Sequence, residues 1–164
     1  MRQLIPFQET QRFSAWVYSL IGLTSVGTLI MGFVQIGMGI PVGNHPSSNV
    51  VMIVIVVTFG LLFPLAFFGL KLEISTNAEG VLIQLRPFAN RTIGYDEIAS
   101  VEAMTYQPLL EYGGWGVRGL GKKRAYNARG NDGVLLTLKD GATVMLGTQR
   151  MVELESVIRS GMSH

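Results

Sequence analysis

The sequence predicts a membrane protein: a two-helix transmembrane hairpin followed by a mainly-β barrel of about seven short strands, capped by a C-terminal α-helix. Three observations carry this. Between Arg12 and Lys71 there is no Asp, Glu, Lys or Arg. From Lys71 onward, short segments alternate apolar and polar residues with period two, broken by turn formers. After Thr148 the apolar residues take up helical spacing. The 164 residues are 48% hydrophobic and only 15% charged, against about 25% charged in an average soluble domain. This distribution excludes a single soluble globule and a disordered chain. The absence of Cys excludes a secreted disulfide scaffold.

The uncharged stretch divides at Pro41-Val42-Gly43-Asn44-His45-Pro46-Ser47-Ser48-Asn49, a run of turn formers between two apolar runs. A spanning helix needs about 20 mostly apolar residues, and both runs reach that length. The expected organisation is a cytoplasmic segment 1–12, a transmembrane helix 13–40, an outward loop 41–49, a second transmembrane helix 50–70 and a cytoplasmic domain 71–164. The first run is too long for the apolar core of a cleaved signal peptide and reads as a retained anchor. Arg2, Arg12 and Lys71 flank the helices while the connecting loop has no Lys or Arg, so both termini are expected on the cytoplasmic side of the inner (cytoplasmic) membrane. Thr24, Thr28, Gly32, Gln35 and Gly39 recur at helical spacing. They read as a small-residue seam packed on the second helix, with Gln35 hydrogen-bonded across it. A solute pathway is the competing reading, but two helices without an ionisable residue enclose no pore. Pro64, one turn after Gly60, is expected to kink the second helix.

In the second half, strands are expected at Leu72 to Ser75, Val81 to Leu85, Arg91 to Tyr95, Ser100 to Tyr106, Ala125 to Ala128, Val134 to Leu138 and Ala142 to Leu146. Asp140-Gly141 is the hairpin turn joining the last two. Tyr112 to Asn131 otherwise reads as loop. Thr148 is the expected N-cap of the final helix. Met151, Leu154, Val157 and Ile158 form its apolar face, and Gly161 is its expected stop.

Several stretches carry a resemblance: Phe7-Gln8-Glu9-Thr10-Gln11-Arg12-Phe13, Pro108 with Glu111-Tyr112-Gly113-Gly114-Trp115-Gly116-Val117-Arg118, Ala125-Tyr126-Asn127, Gly130-Asn131-Asp132-Gly133-Val134, and Asp140-Gly141 leading to Leu146-Gly147-Thr148-Gln149-Arg150. With the expected architecture, they make the chain resemble a prokaryotic family of membrane proteins with two transmembrane helices and a C-terminal bacterial pleckstrin-homology-like domain. The Gly-Gly-Trp-Gly stretch is the most specific part. The resemblance implies a PH-like split barrel and a membrane location. That family has no agreed activity, so it supplies no catalytic residues, and one fold hosts many functions.

The sequence holds no motif for catalysis, phosphate binding or metal binding. His45 and His164 are its only histidines. Asp96-Glu97 are adjacent in a turn and read as solvated. The expectation is a protein that is not an enzyme and uses no cofactor or metal. Tyr112 to Asn131 carries five cations, six glycines and no acid. Trp115, Arg118, Lys122, Lys123, Arg124 and Arg129 are its candidate lipid- or partner-binding residues. Held near an anionic leaflet, each cation is worth about 1 kcal/mol, less with salt. The alternative is a solvated loop whose Trp115 fills the barrel mouth. Residues 71–164 hold 11 basic and 10 acidic groups, so the basic character is local and no nucleic-acid partner is expected.

Three functions compete. The first is an interaction or scaffold module binding a membrane protein partner or itself. The second is contact with anionic lipid headgroups through the basic 118–129 loop. The third is a small-molecule binder or enzyme with its site at the Trp115 loop, which requires a deep pocket lined by Trp115, Tyr112 and Tyr126.

Overall fold

A computed structural model describes residues 6–87, 89–119 and 121–163. Arg2 and His164 lie outside the described residues. The chain forms two compact units, Ser14–Leu70 on one hand and Met1–Phe13 with Lys71–His164 on the other.

In the helical unit, α1 (Ala15–Gly32) runs on into a π-helical turn, Phe33–Gly37. α2 (Asn49–Ile55) is followed by a π-helical stretch, Val56–Leu62, and then by α3 (Phe63–Phe68). Ala15–Gly37 and Asn49–Phe68 are each long and apolar enough to cross a membrane. Ser48 caps α2, its side chain accepting from the Val51 N–H at 3.4 Å. Pro64 has no N–H, so the Gly60 carbonyl one turn earlier loses its usual helical donor. The Ser25 hydroxyl, reaching over from α1, donates to that carbonyl at 2.6 Å.

The seam between these helices is Ile21, Ser25, Gly32 and Gln35 on the first, all buried. Gly32 admits Val56 so closely that a Cβ there would lie 2.4 Å from its Cγ2. Gln35 does reach across, donating to the Ser47 carbonyl at 2.8 Å and to Asn49 Oδ1 at 3.4 Å. Gly39 lies exposed beyond the last helical residue, Gly37, and Thr24 and Thr28 also depart from the expected seam. Their hydroxyls bond back to their own helix, Thr24 to Ile21 O at 2.9 Å and Thr28 to Thr24 O at 2.8 Å. Tyr18 stacks on Phe68 with centroids 5.2 Å apart.

The β unit holds nine strands among the described residues, in two sheets that do not close into a barrel. The first sheet is antiparallel, in the order β1 (Gln8–Gln11), β2 (Lys71–Thr76), β3 (Gly80–Arg86), β4 (Ala89–Gly94). The second has the order β5 (Ile98–Thr105), β8 (Asp132–Leu138), β9 (Thr143–Gly147), β7 (Lys123–Asn127), β6 (Gly116–Arg118), with β7 and β9 parallel. The alternation in the sequence becomes alternation in burial: Leu72 and Ile74 on β2, Val81, Ile83 and Leu85 on β3, Val134, Leu136 and Leu138 on β8 are all buried. α5 (Met151–Met162) buries Leu154 and Ile158 and packs on β5 and β8, reaching β3 of the other sheet.

Four expectations are corrected. The count of about seven strands omits β1 and β6, because neither is long enough to show a period. The stretch expected to be loop after Tyr112 contains β6 as well as β7, and a short helix, α4 (Pro108–Tyr112), runs into it. Thr148 does not cap α5, which starts at Met151. It is fully buried, donating to Glu9 and accepting from the Arg150 N–H at 3.0 Å. Gly161 does not stop α5 but sits within it, because the Tyr95 ring packs where a Cβ would be, 2.5 Å away.

Candidate functional site

α4 sits on the outer face of the second sheet and is built from local signals. Pro108 supplies the first helical turn, and Glu111 Oε1 accepts from the Gln107 N–H at 2.7 Å. Gly113, with φ of +74°, ends the helix in the left-handed conformation. Its N–H bonds to Leu109 O at 3.1 Å and that of Gly114 to Pro108 O at 2.9 Å. The Gly-Gly-Trp-Gly stretch owes its composition to backbone angles, since Gly113, Gly114 and Gly116 all have positive φ.

Beneath α4 lies a second small core of Tyr106, Tyr112, Ala125 and Met145. Tyr106 and Tyr112 meet edge to face at 5.8 Å. Tyr106 lies against two glycines paired across β8 and β9, Gly133 and Gly147, where added Cβ atoms would come within 3.0 Å and 2.9 Å of it. Asn127 Nδ2 donates to the Tyr106 hydroxyl at 2.9 Å, while its Oδ1 accepts from the Gly116 N–H at 2.9 Å. Burial pushes the Tyr106 hydroxyl up to about 12, against the lowering effect of Asn127 and with small additions from Tyr112, Glu111 and Asp132. The Tyr112 hydroxyl is raised too, by burial and then by Glu111.

An open groove of about 730 Å³ runs beside α4, lined by Thr105, Tyr106, Pro108, Leu109, Leu110 and Trp115 among others. Leu109 is 62% exposed and Leu110 83%, an apolar pair left uncovered in a unit whose other described leucines are mostly buried. Trp115 is half-buried on the groove wall, its Nε1 donating to Gly130 O at 3.3 Å. Of the three aromatics expected to line one deep pocket, only Trp115 lines this groove. Tyr112 packs on Tyr106 instead, and Tyr126 is buried in β7.

The five cations of the loop do not form one patch. Lys123 and Arg124 are successive residues of β7 and therefore point to opposite faces of the sheet. Lys123 lies over the Tyr112 ring, 4.8 Å from its centroid, on the α4 face. Arg124 and Lys122 instead line a small cavity with Arg91 and Thr143. Arg118 Nε donates to Trp115 O at 2.8 Å and so holds the tryptophan turn. Arg129 is exposed, and its carbonyl accepts from Gln149 Nε2 at 3.4 Å.

Sequence reasoning missed Leu109, Leu110 and Arg91. The signal for the leucines was present, as two adjacent large apolar residues after a proline in a stretch with no strand pattern. Asp96-Glu97 form no paired site, since Glu97 Oε1 accepts from the Gly94 N–H at 2.9 Å as a local cap. No group of three or more His, Asp or Glu side chains suited to a metal ion occurs among the described residues. No family model and no curated protein matches the chain.

Proposed function

We propose that the protein is a non-enzymatic, membrane-anchored interaction module whose β unit docks a membrane protein partner or a second copy of the chain. The observation that carries this reading is the exposed Leu109–Leu110 pair beside the Trp115 groove. Uncovered large apolar side chains beside an aromatic anchor and a concave wall mark an interaction surface. The module is read as a PH-like split barrel, as the resemblance implies. Anchoring is supported by the helical unit, whose two helices are long and apolar enough to cross a membrane and leave most of their apolar side chains exposed. The β1–β2 pairing sets Gln11 opposite Leu72. The chain therefore leaves and re-enters one sheet around the hairpin, which supports an even number of crossings, and the flanking Arg12 and Lys71 favour the cytoplasmic side of the inner membrane for both ends.

The second reading, contact with anionic headgroups, is favoured by the exposed cations Arg118, Lys122, Lys123, Arg124 and Arg129. Their division between two faces of the sheet limits how many can meet one flat surface.

The chain has no native Cys, so Leu110→Cys gives a unique handle for thiol crosslinking of the full chain in its own membrane. The control is Ser100→Cys, at an exposed position of β5 that does not line the groove. Docking predicts discrete protein adducts from position 110 that are absent from position 100. Adducts of twice the chain mass identify a second copy, and other masses a different partner. Labelling of the thiol at position 110 by small reagents, with no protein adduct, would overturn the reading. Salt-sensitive adhesion to anionic vesicles would then favour the second.

A further inference from the structure

We propose that the cavity lined by Arg91, Lys122, Arg124 and Thr143 is a binding site for a phosphate group, as a phosphomonoester headgroup or a soluble phosphate compound. The proposal is independent of the α4 groove and goes beyond protein docking. It shares Lys122 and Arg124 with the headgroup reading but replaces a flat basic surface by an open concavity that Arg91 joins from the other sheet.

The placement of Arg91 is the first argument. It lies on β4 two residues before Ile93, which is fully buried, and opposite Ile83 of β3, which is also buried. Alternation therefore puts a guanidinium on the core-facing side of an edge strand, where it is half-buried. Partial burial strips some water from the guanidinium and favours an anionic partner. The ion pairs among the described residues are Arg86–Glu73, Arg150–Glu153 and Arg159–Glu155, and none involves Arg91.

Two more cations converge on it, Arg124 from the other sheet and Lys122 from the turn that precedes β7. Arg124 is on β7 beside Val144 of β9, on the face opposite to Lys123, and it too has no carboxylate within ion-pair distance among the described residues. Lys122 is held at the rim, its Nζ donating to Asp140 O at 2.8 Å and its carbonyl accepting from the Thr143 N–H at 2.7 Å. Asp140 is the one carboxylate lining the cavity among the described residues. Its Oδ1 is engaged by the Ala142 N–H at 2.8 Å, inside the hairpin turn. Three cations thus face one carboxylate that is already hydrogen-bonded.

Size and donor type set the ligand class. The cavity is about 210 Å³, below the roughly 300–1,000 Å³ of sites for drug-sized ligands. Two guanidinium forks with an ammonium match a tetrahedral dianion, since Arg binds phosphate through paired N–H donors. Bringing three like charges together is unfavourable, and a phosphate between them reverses the sign of that interaction.

The test uses the full chain in nanodiscs of neutral lipid, titrated with inorganic phosphate at low salt by calorimetry. Binding is expected, with Arg91→Gln and Arg124→Gln each weakening it tenfold or more and Lys123→Gln, on the opposite face, leaving it within twofold. Phosphate should also raise the unfolding temperature of the wild type but not of Arg124→Gln, whose exposed side chain makes misfolding no explanation. Repeating the titration in nanodiscs containing phosphatidic acid separates the sources. Loss of phosphate binding there means the lipid headgroup occupies the cavity, and unchanged binding means a soluble ligand. Absence of phosphate binding in neutral nanodiscs overturns the proposal. So does binding that Arg91→Gln leaves intact while promoting self-association, because Arg91 is then a guard against edge pairing. Either failure leaves crosslinking from position 110 unaffected.

Discussion

Gln11 donates from Nε2 to the Gly147 carbonyl at 2.7 Å, joining β1 of the first sheet to the end of β9 in the second, across 136 positions of sequence. Its neighbours repeat the link. Glu9 accepts from the Thr148 hydroxyl and from the Gln149 N–H, the latter at 3.0 Å. Arg150 Nη1 donates to Gln8 O at 3.2 Å, and its guanidinium lies over the Phe7 ring at 4.8 Å. The residues before the helical hairpin are thus an integral part of the β unit, and a piece of chain beginning at Lys71 lacks its first strand.

Gln11→Ala removes a buried donor and leaves the Gly147 carbonyl unpaired, which should cost about 1–3 kcal/mol. Chemical denaturation of the full chain in detergent, followed by near-ultraviolet circular dichroism, measures it. An unchanged midpoint would mean that the two sheets are held together without this link.

Ser25 and Pro64 should be coupled through the Gly60 carbonyl. Ser25→Ala is expected to destabilise the helical unit by about 0.6–1.7 kcal/mol. In a Pro64→Ala background the effect should shrink, because residue 64 regains an N–H for that carbonyl. A double-mutant cycle of thermal stability in nanodiscs reads the coupling, and strict additivity would dissociate the two residues.

Gly161→Ala pits helix propensity against packing. Gly161 is the penultimate residue of α5, so the change favours Ala by less than the roughly 0.8–1.0 kcal/mol of a helix interior, and the new Cβ would lie 2.5 Å from the Tyr95 ring. Overpacking of this kind costs about 1–3 kcal/mol, so net destabilisation is expected. Adding Tyr95→Leu should return part of it. A stabilised Gly161→Ala would show that the ring moves aside freely.

Tyr106 should make the β unit sensitive to alkali. Its hydroxyl is pushed up to about 12 by burial, against about 10 in an unfolded chain. The neutral form is therefore favoured by folding. This contribution is complete below about pH 10 and declines as pH rises towards 12, where the unfolded chain has already released its proton. Denaturation midpoints over that interval should fall more steeply for the wild type than for Tyr106→Phe. Equal slopes would assign the loss to other groups.

Several features were legible because they are local. The charge-free stretch with its central turn residues specified two apolar helices. Alternation located β3, β5, β8 and β9 to within a residue or two, and the spacing of Leu154 and Ile158 specified α5. The Gly-Gly-Trp-Gly stretch was visible as a special segment, although not as a helix terminus with three left-handed glycines. Other features were illegible for a definite reason. β1 has four residues, Gln-Glu-Thr-Gln, all polar, and becomes a strand only because β2 offers it an edge. Lys122, Lys123 and Arg124 read as one basic run, whereas strand pleating sends Lys123 to the Tyr112 ring and Arg124 to the cavity with Arg91.

Composition and periodicity are properties of neighbouring residues, and they were sufficient for the hairpin, for most strands and for the terminal helix. Which strands pair, where each cation points and which apolar residues stay uncovered depend on contacts between distant segments. The parallel pairing of β7 with β9 carries Arg124 to within reach of Arg91 on another sheet. The packing of Tyr106 on Gly133 and Gly147 fills the outer face beneath α4 and leaves Leu109 and Leu110 outside. Such outcomes follow from competition for a limited buried volume, which no local pattern encodes.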